Sequence, residues 1–307
     1  MTMASTSLPM TRGRRLTLVI GVPVAVALIL VCVPLWARGA LQVVANHDQV
    51  GYSVAVSAPV RGGQVKVTSG NGDMVFRTSR TAHDISVRGH LSGSLARPTF
   101  SHQSTATGLD LNSGCNAPFG HCNISFTVTA PAGLPVTLDD AFGNLTAGHL
   151  SGPVSLSNNS GDIDTSDLDG RIQLNDQFGN INASGLDGST RLVNNSGDIN
   201  VSGATGDTQL QDSFGNIYLT GLAAASVVAT NNSGDITLRF ATVPTQVNVT
   251  DSFGNVTLIL PAGAVAYQVH THDSFGSTSV SVAQSPTSAH VIRVNNNSGD
   301  ITIRTQD

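Results

Sequence analysis

A parallel β-solenoid of about eighteen-residue coils, preceded by one membrane-spanning helix, is the fold predicted by three observations. A short unit recurs from Gly143 to Gly299, apolar columns run through it at fixed positions, and the composition withholds helix formers while supplying turn formers. The chain holds no Glu and a single lysine, Lys66, against 20 acidic residues, all Asp. Glu and Lys are the usual fillers of solvent-facing helices. With 32 Gly and many Asn, Ser, Thr and Val, the chain reads as short strands and tight turns. It reads as all-β beyond the N-terminus.

The first element is the exception. Residues 16–37 are uncharged and largely apolar, with Arg12, Arg14 and Arg15 before them and Arg38 after. That length spans a bilayer. The arginine bias places residues 1–15 in the cytoplasm and everything past Arg38 outside. A cleaved signal peptide is the alternative, but its apolar stretch is shorter and ends in a small-x-small site, which Leu35-Trp36-Ala37 is not. Cys32 follows Val31 and is continued by apolar residues, so it reads as a buried membrane cysteine rather than a lipidation site.

Residues 38–139 read as a linker and an N-terminal β cap. Strand patterns occur at 54–60, 64–68 and 124–129, and Ser69-Gly70-Asn71-Gly72-Asp73-Met74 is one weak unit. A solenoid needs ends unlike its middle, because an uncapped coil exposes strand edges. Within the cap, 90–122 reads as a looped insertion. Cys115 and Cys122 enclose six residues rich in turn formers, which in an exported segment suggests a disulfide. A metal site there would need more ligands than His121.

Residues 140–307 read as the repeat solenoid. One version of the unit is Asn-Asn-Ser-Gly-Asp-Ile, at 158–163, 194–199, 231–236 and 296–301. The other is Asp-x-Phe-Gly-Asn-Ile or close to it, at 140–145, 176–181, 212–217 and 251–256. Counting from each glycine, position +2 holds Ile163, Ile181, Ile199, Ile217 and Ile236. Position +7 holds Leu150, Leu168, Leu186, Ala204 and Leu222, and +13 holds Leu156, Leu174, Leu192, Leu210 and Val228. Columns five to seven residues apart fit a coil with three sides, each a short strand pointing one main residue inward. Each glycine-marked segment is expected directly on its predecessor. The nine marked units would make a rod about 43 Å long.

The alternation supports that register. The residue after glycine runs Asp162, Asn180, Asp198, Asn216, Asp235, Asn255, and three before glycine the order inverts to Asn158, Asp176, Asn194, Asp212, Asn231, Asp251. Stacked coils lie about 4.8 Å apart, so an unbroken Asp column would set like charges over one another. Interleaved Asn doubles the carboxylate spacing and can donate to carboxylates above and below. Phe178, Phe214 and Phe253 alternate likewise with Ser196 and Ser233, leaving room for each ring to fold over its neighbour. A propeller of 36-residue blades would demand larger aromatic packing, and an antiparallel meander explains the Asp/Asn exchange less well. The C-terminus ends on the strand pattern 301–305 with no cap after it, so an open edge is expected there.

Behind one N-terminal membrane segment, the Ser-Gly-Asp-Ile and Phe-Gly-Asn-Ile units of 136–303 resemble a bacterial β-strand-repeat family of unknown function labelled as adhesins. They are similar also to auto-transporter adhesin-like head domains. The resemblance implies a β-solenoid on the cell surface and carries over no catalytic residue.

The remaining polar residues offer a few candidate chemistries. Gly-Asp turns in tandem suggest calcium-binding β-rolls, but those have nine-residue units, and here Asn replaces Asp in every second coil. The ladder Asp162, Asn180, Asp198, Asn216, Asp235, Asn255 is therefore assigned to structure, with no metal and no cofactor. Asp164, Asp167 and Asp169 fall off the period, with Arg171 beside them; Asp167 and Asp169 would share a strand face as a carboxylate pair. His270 and His272, next to Asp273, share a strand face at chelating spacing but lack a third ligand. Asp139-Asp140 reads as a turn. A net charge of −5 with no basic cluster past the N-terminus excludes nucleic acid. The expected function is a non-enzymatic, membrane-anchored extracellular binding or structural protein. Its partner would be a glycan or protein at a solenoid face or the C-terminal edge. The alternatives are a carbohydrate-active β-helix enzyme and an envelope-stress or signalling accessory ectodomain.

Overall fold

Runs of Val, Ile, Leu and Thr closed by Gly, Asn, Asp or Ser become strands along the whole of the computed structural model, which describes residues 50–60, 63–94, 97–106, 108–116 and 121–306. The helix expected at 16–37, the tail before it and the linker to 49 lie outside the described residues, as do 117–120 of the cysteine loop. Among the described residues no helix is long and apolar enough to cross a membrane.

The cap contributes β1 (Val50–Pro59), β2 (Val65–Ser69), β3 (Asp73–Ser79), β4 (Asp84–Ser94), β5 (Arg97–Ser104), β6 (Leu109–Asn116) and β7 (His121–Pro131). Two-strand coils follow: β8 (Val136–Asp140) with β9 (Leu145–Ser151), β10 (Val154–Asn158) with β11 (Ile163–Asp169), and β12 (Ile172–Asp176) with β13 (Ile181–Asp187). Then come β14 (Thr190–Asn194) with β15 (Ile199–Thr205), β16 (Thr208–Gln211) with β17 (Ile217–Ala223), β18 (Ser226–Asn231) with β19 (Ile236–Phe240), and β20 (Gln246–Phe253) with β21 (Val256–Leu260). The C-terminal part adds β22 (Gln268–Phe275), β23 (Thr278–Ser281), β24 (Val291–Ser298) and β25 (Ile301–Thr305). From β8 to β21, even-numbered strands join one parallel sheet and odd-numbered strands the other. The fold is an all-β parallel solenoid.

Stacking follows the predicted columns. Ile163, Ile181, Ile199, Ile217 and Ile236 face one another across successive odd strands. Leu156, Leu174, Leu192 and Leu210 do so across even strands. All of these are buried between the two sheets. Two further inward columns flank them, one through Ala147, Thr165, Ala183 and Val201, the other through Val154, Ile172, Thr190 and Thr208. Burying such columns removes apolar surface from water at about 25 cal/mol per Å², which is the main force holding the coils together.

Three expectations need correction. The coil has two sheets rather than three sides, because one strand carries both the +2 and +7 columns. Alternate residues of a strand share a face, so Ile163 and Thr165 point inward and Asp167 should as well. Instead Asp167 adopts a left-handed φ of 52° and Leu168 takes the inward position. His149, Gly185, Gly203 and Gly221 repeat that left-handed step in neighbouring coils. A bulge does the work assigned to a corner. Val228 is a second miss: it is exposed, and Ala229 stands opposite Leu210 instead. The nineteen-residue unit inserts one residue before β18, and a one-residue slip turns a side chain to the other face.

Third, stack order departs from chain order at both ends. The 90–122 stretch is no loop: it holds the end of β4, then β5, β6 and the start of β7, with β1, β4 and β5 pairing antiparallel as the cap. Cys115 and Cys122 are joined by a disulfide, Cα to Cα 5.8 Å, between β6 and β7. At the other end, β24 lies between β20 and β22, and β25 between β21 and β23. The final segment of the chain is thus inside the stack. The open edge belongs to β22 and β23, whose residues are mostly exposed.

At the corners, coils approach so closely that a side chain has no room. Gly197 has φ 120°, and a Cβ there would collide with the carbonyl oxygen of Gly179 in the coil beneath. Gly197→Ala should lower unfolding stability by about 2–4 kcal/mol in chemical denaturation. Gly63→Ala should cost no more than about 1–2 kcal/mol, because its φ is 65° but nothing lies within 4 Å of the added atom. Removing 291–306 should strip hydrogen-exchange protection from 268–281 while leaving β8 to β17 protected.

Candidate functional site

The corner ladder ties up the Asp residues that most invite a metal. The backbone N–H of Asn180 donates to Asp162 Oδ1 at 2.8 Å, that of Asp198 to Asn180 Oδ1 at 2.8 Å, and that of Asn216 to Asp198 Oδ1 at 2.8 Å. Asp235 and Asn255 continue the series at 2.9 and 2.8 Å. Each Asn amide donates to the carboxylate of the preceding coil only, as Asn180 Nδ2 does to Asp162 Oδ1 at 3.2 Å. The expected donation to carboxylates on both sides is replaced on one side by the backbone. Among the described residues no group of three or more His, Cys, Asp or Glu side chains is arranged to hold a metal. His270 and His272 sit exposed on β22.

The column three residues before glycine is buried, which its polar character concealed. Asn158 Nδ2 donates to the carbonyls of Gly143 and Gly161, both at 2.9 Å, and Asn231 and Asn296 repeat the pair of contacts. In the alternate coils Asp176 Oδ1 accepts from the Gln177 N–H at 2.8 Å, while Oδ2 is buried without a partner. Burial pushes the Asp176 carboxyl up to about 7, against the pull of the Gln177 and Phe178 backbone N–H groups, and the nearby Asp162 charge adds to the rise. Asp140, Asp212 and Asp251 rise to about 6, with burial again the largest cause. These groups are buried at the corners, and none of them lines the groove on the outer face of the odd-numbered strands. Asp139, half-buried beside them, forms an ion pair with Lys66 at 3.6 Å.

A concavity lies on the outer face of the odd-numbered strands, a groove of about 800 Å³. Its rows are those three and five residues after glycine, just before the left-handed bulge. Asp164, Asn182 and Asn200 form one row; Ser166, Ser184 and Ser202 form the other. The amides are tied along the rod axis, Asn182 Nδ2 to Asp164 Oδ1 at 3.0 Å and Asn200 Nδ2 to Asn182 Oδ1 at 3.2 Å. The inward column that backs the groove between these rows holds Ala147, Thr165, Ala183 and Val201, with Phe76 before them and Leu219 after. Arg77 and His149 stand at one end and Tyr218, 49% exposed, at the other.

The off-period carboxylates do not converge in this groove. Asp164 lines it, held by Asn182. Asp167 is turned away by its left-handed backbone and lies 3.1 Å from His149 Nδ1. Asp169 and Arg171 are exposed and outside it. The groove escaped the sequence reading because its row of Thr146, Asp164, Asn182, Asn200 and Tyr218 mixes types; only the eighteen-residue spacing marks it.

A model of the Toastrack DUF4097 family matches residues 123–304. No curated protein matches the chain. Among solved structures, the chain is similar to a candidate adhesin from Bacteroides fragilis, with 15% identity, TM-score 0.40, and coverage of 85% of this chain and 99% of that one. One from Parabacteroides distasonis shows 11% identity, TM-score 0.40, and coverage of 85% and 98%. A candidate cell adhesion protein from Clostridium sporogenes shows 9% identity, TM-score 0.23, and coverage of 84% and 100%.

The buried carboxyls set a pH dependence. Their folded values lie above the ordinary 3.8, so the folded state binds protons more tightly than the unfolded chain. Stability from these groups is full below about pH 4 and is lost as pH rises through 6 to 7. The thermal midpoint should fall between pH 5 and pH 8, and Asp176→Asn should flatten that slope.

Proposed function

The chain belongs to the Toastrack DUF4097 family, and from that premise we propose that it is a non-catalytic binding rod held at the outer face of the cell membrane. Residues 16–37 anchor it, 1–15 stay inside, and the solenoid is displayed outside. Its ligand is an extended, uncharged glycan lying along the groove of the odd-numbered strands. The observation that carries this reading is the pair of polar rows in that groove. Asp164, Asn182 and Asn200 supply donors and acceptors at strand spacing, opposite the hydroxyls of Ser166, Ser184 and Ser202. Such rows match the hydroxyls of a polymer running parallel to the rod axis. Tyr218 offers an aromatic face at one end, suited to stacking on a sugar ring. Arg77 stands at one end, and between it and Tyr218 the rows hold no Lys or Arg that would select a polyanion.

Two measurements test it. Asn182→Ala together with Asn200→Ala should weaken binding on a neutral glycan array at least tenfold, while Asp167→Asn and Asp169→Asn should leave it unchanged. Loss of binding only in the Asp variants would return the reading to enzyme chemistry. A C-terminal epitope on the full-length chain should be reachable by antibody on intact cells.

A further inference from the structure

The glycine corner carries a row of aromatic rings that neither the core nor the groove uses. Phe142, Phe178, Phe214, Phe253 and Phe275 each precede a corner glycine and are 53%, 57%, 59%, 58% and 76% exposed. They do not fold over one another as the sequence suggested. Their place is set by the backbone: Gly161 N–H donates to Phe178 O at 3.0 Å, Gly197 to Phe214 at 2.9 Å, and Gly234 to Phe253 at 2.8 Å. Between successive rings comes a coil with Ser160, Ser196, Ser233 or Ser298 in the same place. Even at the reordered end, Ser298 lies between Phe253 and Phe275. The result is a row of rings two coils, about 9.6 Å, apart.

An exposed apolar row of this regularity marks a contact surface, and its dimensions choose among occupants. At about 200 Å² per phenylalanine, and with more than half of each exposed, the five rings offer about 600 Å², short of the roughly 800 Å² that each partner covers in a stable complex. A single row is too narrow for a second copy of the chain. Charge excludes a polyanion: the adjacent row holds Asp162, Asp198 and Asp235 among amides, and the row on the other side holds Gln177, Asn195 and Ser213. None of these is basic. What fits is a linear, uncharged polyol with an apolar face recurring at twice the strand spacing.

We propose that the phenylalanine row is a second binding site, a platform for an insoluble, uncharged β-1,4-linked polysaccharide. In such a polymer each pyranose is turned over relative to its neighbour. The same C–H-lined face therefore recurs at every second sugar, and the two-sugar repeat is close to the two-coil spacing. One sugar of each pair stacks on the electron-rich face of a phenylalanine. The flipped sugar lies over a serine, which leaves space for its ring. Its hydroxyls reach the Asp and Asn row on one side and the Gln, Asn and Ser row on the other. Recognition by spacing needs a rigid ligand, so the polymer is bound as a fibre surface rather than as free oligosaccharide.

The site is separate from the groove, and the two can be tested independently. Full-length chain is mixed with insoluble cellulose and with insoluble chitin, and the pelleted fraction is measured. Wild type should pellet with at least one polymer. Phe178→Ala with Phe214→Ala should raise the apparent Kd at least tenfold, and Phe→Trp at both positions should restore it. Asp169→Asn, exposed and outside both sites, should pellet as wild type. These positions are exposed, so thermal unfolding should be unchanged in both phenylalanine variants. Wild type left in the supernatant with both polymers would overturn the proposal, as would equal pelleting of the Phe→Ala variant. So would a dimer that becomes monomeric in that variant, by light scattering, without any loss of polymer binding.

Discussion

Coil-on-coil registration is the constraint from which the rest of this molecule follows. When a strand pairs in parallel with the equivalent strand of the next coil, every residue faces its own counterpart at about 4.8 Å. Apolar residues gain from this, and isoleucine over isoleucine makes a continuous core. Like charges lose from it. The chain meets the loss by exchanging Asp for Asn in every second coil, so the side-chain oxygen at the corner always accepts the next backbone N–H while the charge density is halved. Glycine is required at the same corner because the carbonyl beneath occupies the place of a side chain.

The same constraint explains the buried polar column. An Asn three residues before glycine can donate to two glycine carbonyls at once, its own and that of the coil below. An Asp in that place gives up those donations but accepts the backbone N–H groups that follow it. Its second oxygen occupies the space a Cβ on the adjacent glycine would need, so the glycine and the carboxyl are chosen together. A carboxyl with one oxygen unpaired and buried is costly in its charged form, which is why these groups hold their protons toward neutral pH.

Much of this was legible before any coordinates. The repeat, the isoleucine and leucine columns and the Asp/Asn exchange are properties of spacing, and spacing survives folding into a solenoid. What failed did so for local reasons. A left-handed residue at Asp167 or His149 resets the strand's alternation without a glycine to announce it, so two columns on one bent strand looked like two sides. A single insertion before β18 exposed Val228. The groove was hidden because its outward rows mix residue types, so that only the eighteen-residue spacing marks them.

The reordering of the C-terminal coils is the instructive case, since the alternation rule already contained it. In chain order the residues three before glycine run Asp251, Asp273, Asn296, which would set carboxylate over carboxylate. In the folded stack the order is Asp251, Asn296, Asp273. The row before glycine runs Phe253, Ser298, Phe275, and the row after it Asn255, Asp300, Ser277. The first two rows resolve a clash of like residues that chain order would create, and the third has no like neighbours in either order. The last coil is therefore inserted inside its predecessor because only that order keeps like residues apart. A rule first read as a device against charge repulsion turns out to specify topology. Registration determines the inward columns and the corner glycines, and leaves the outward rows of both sheets and the phenylalanine edge free to vary.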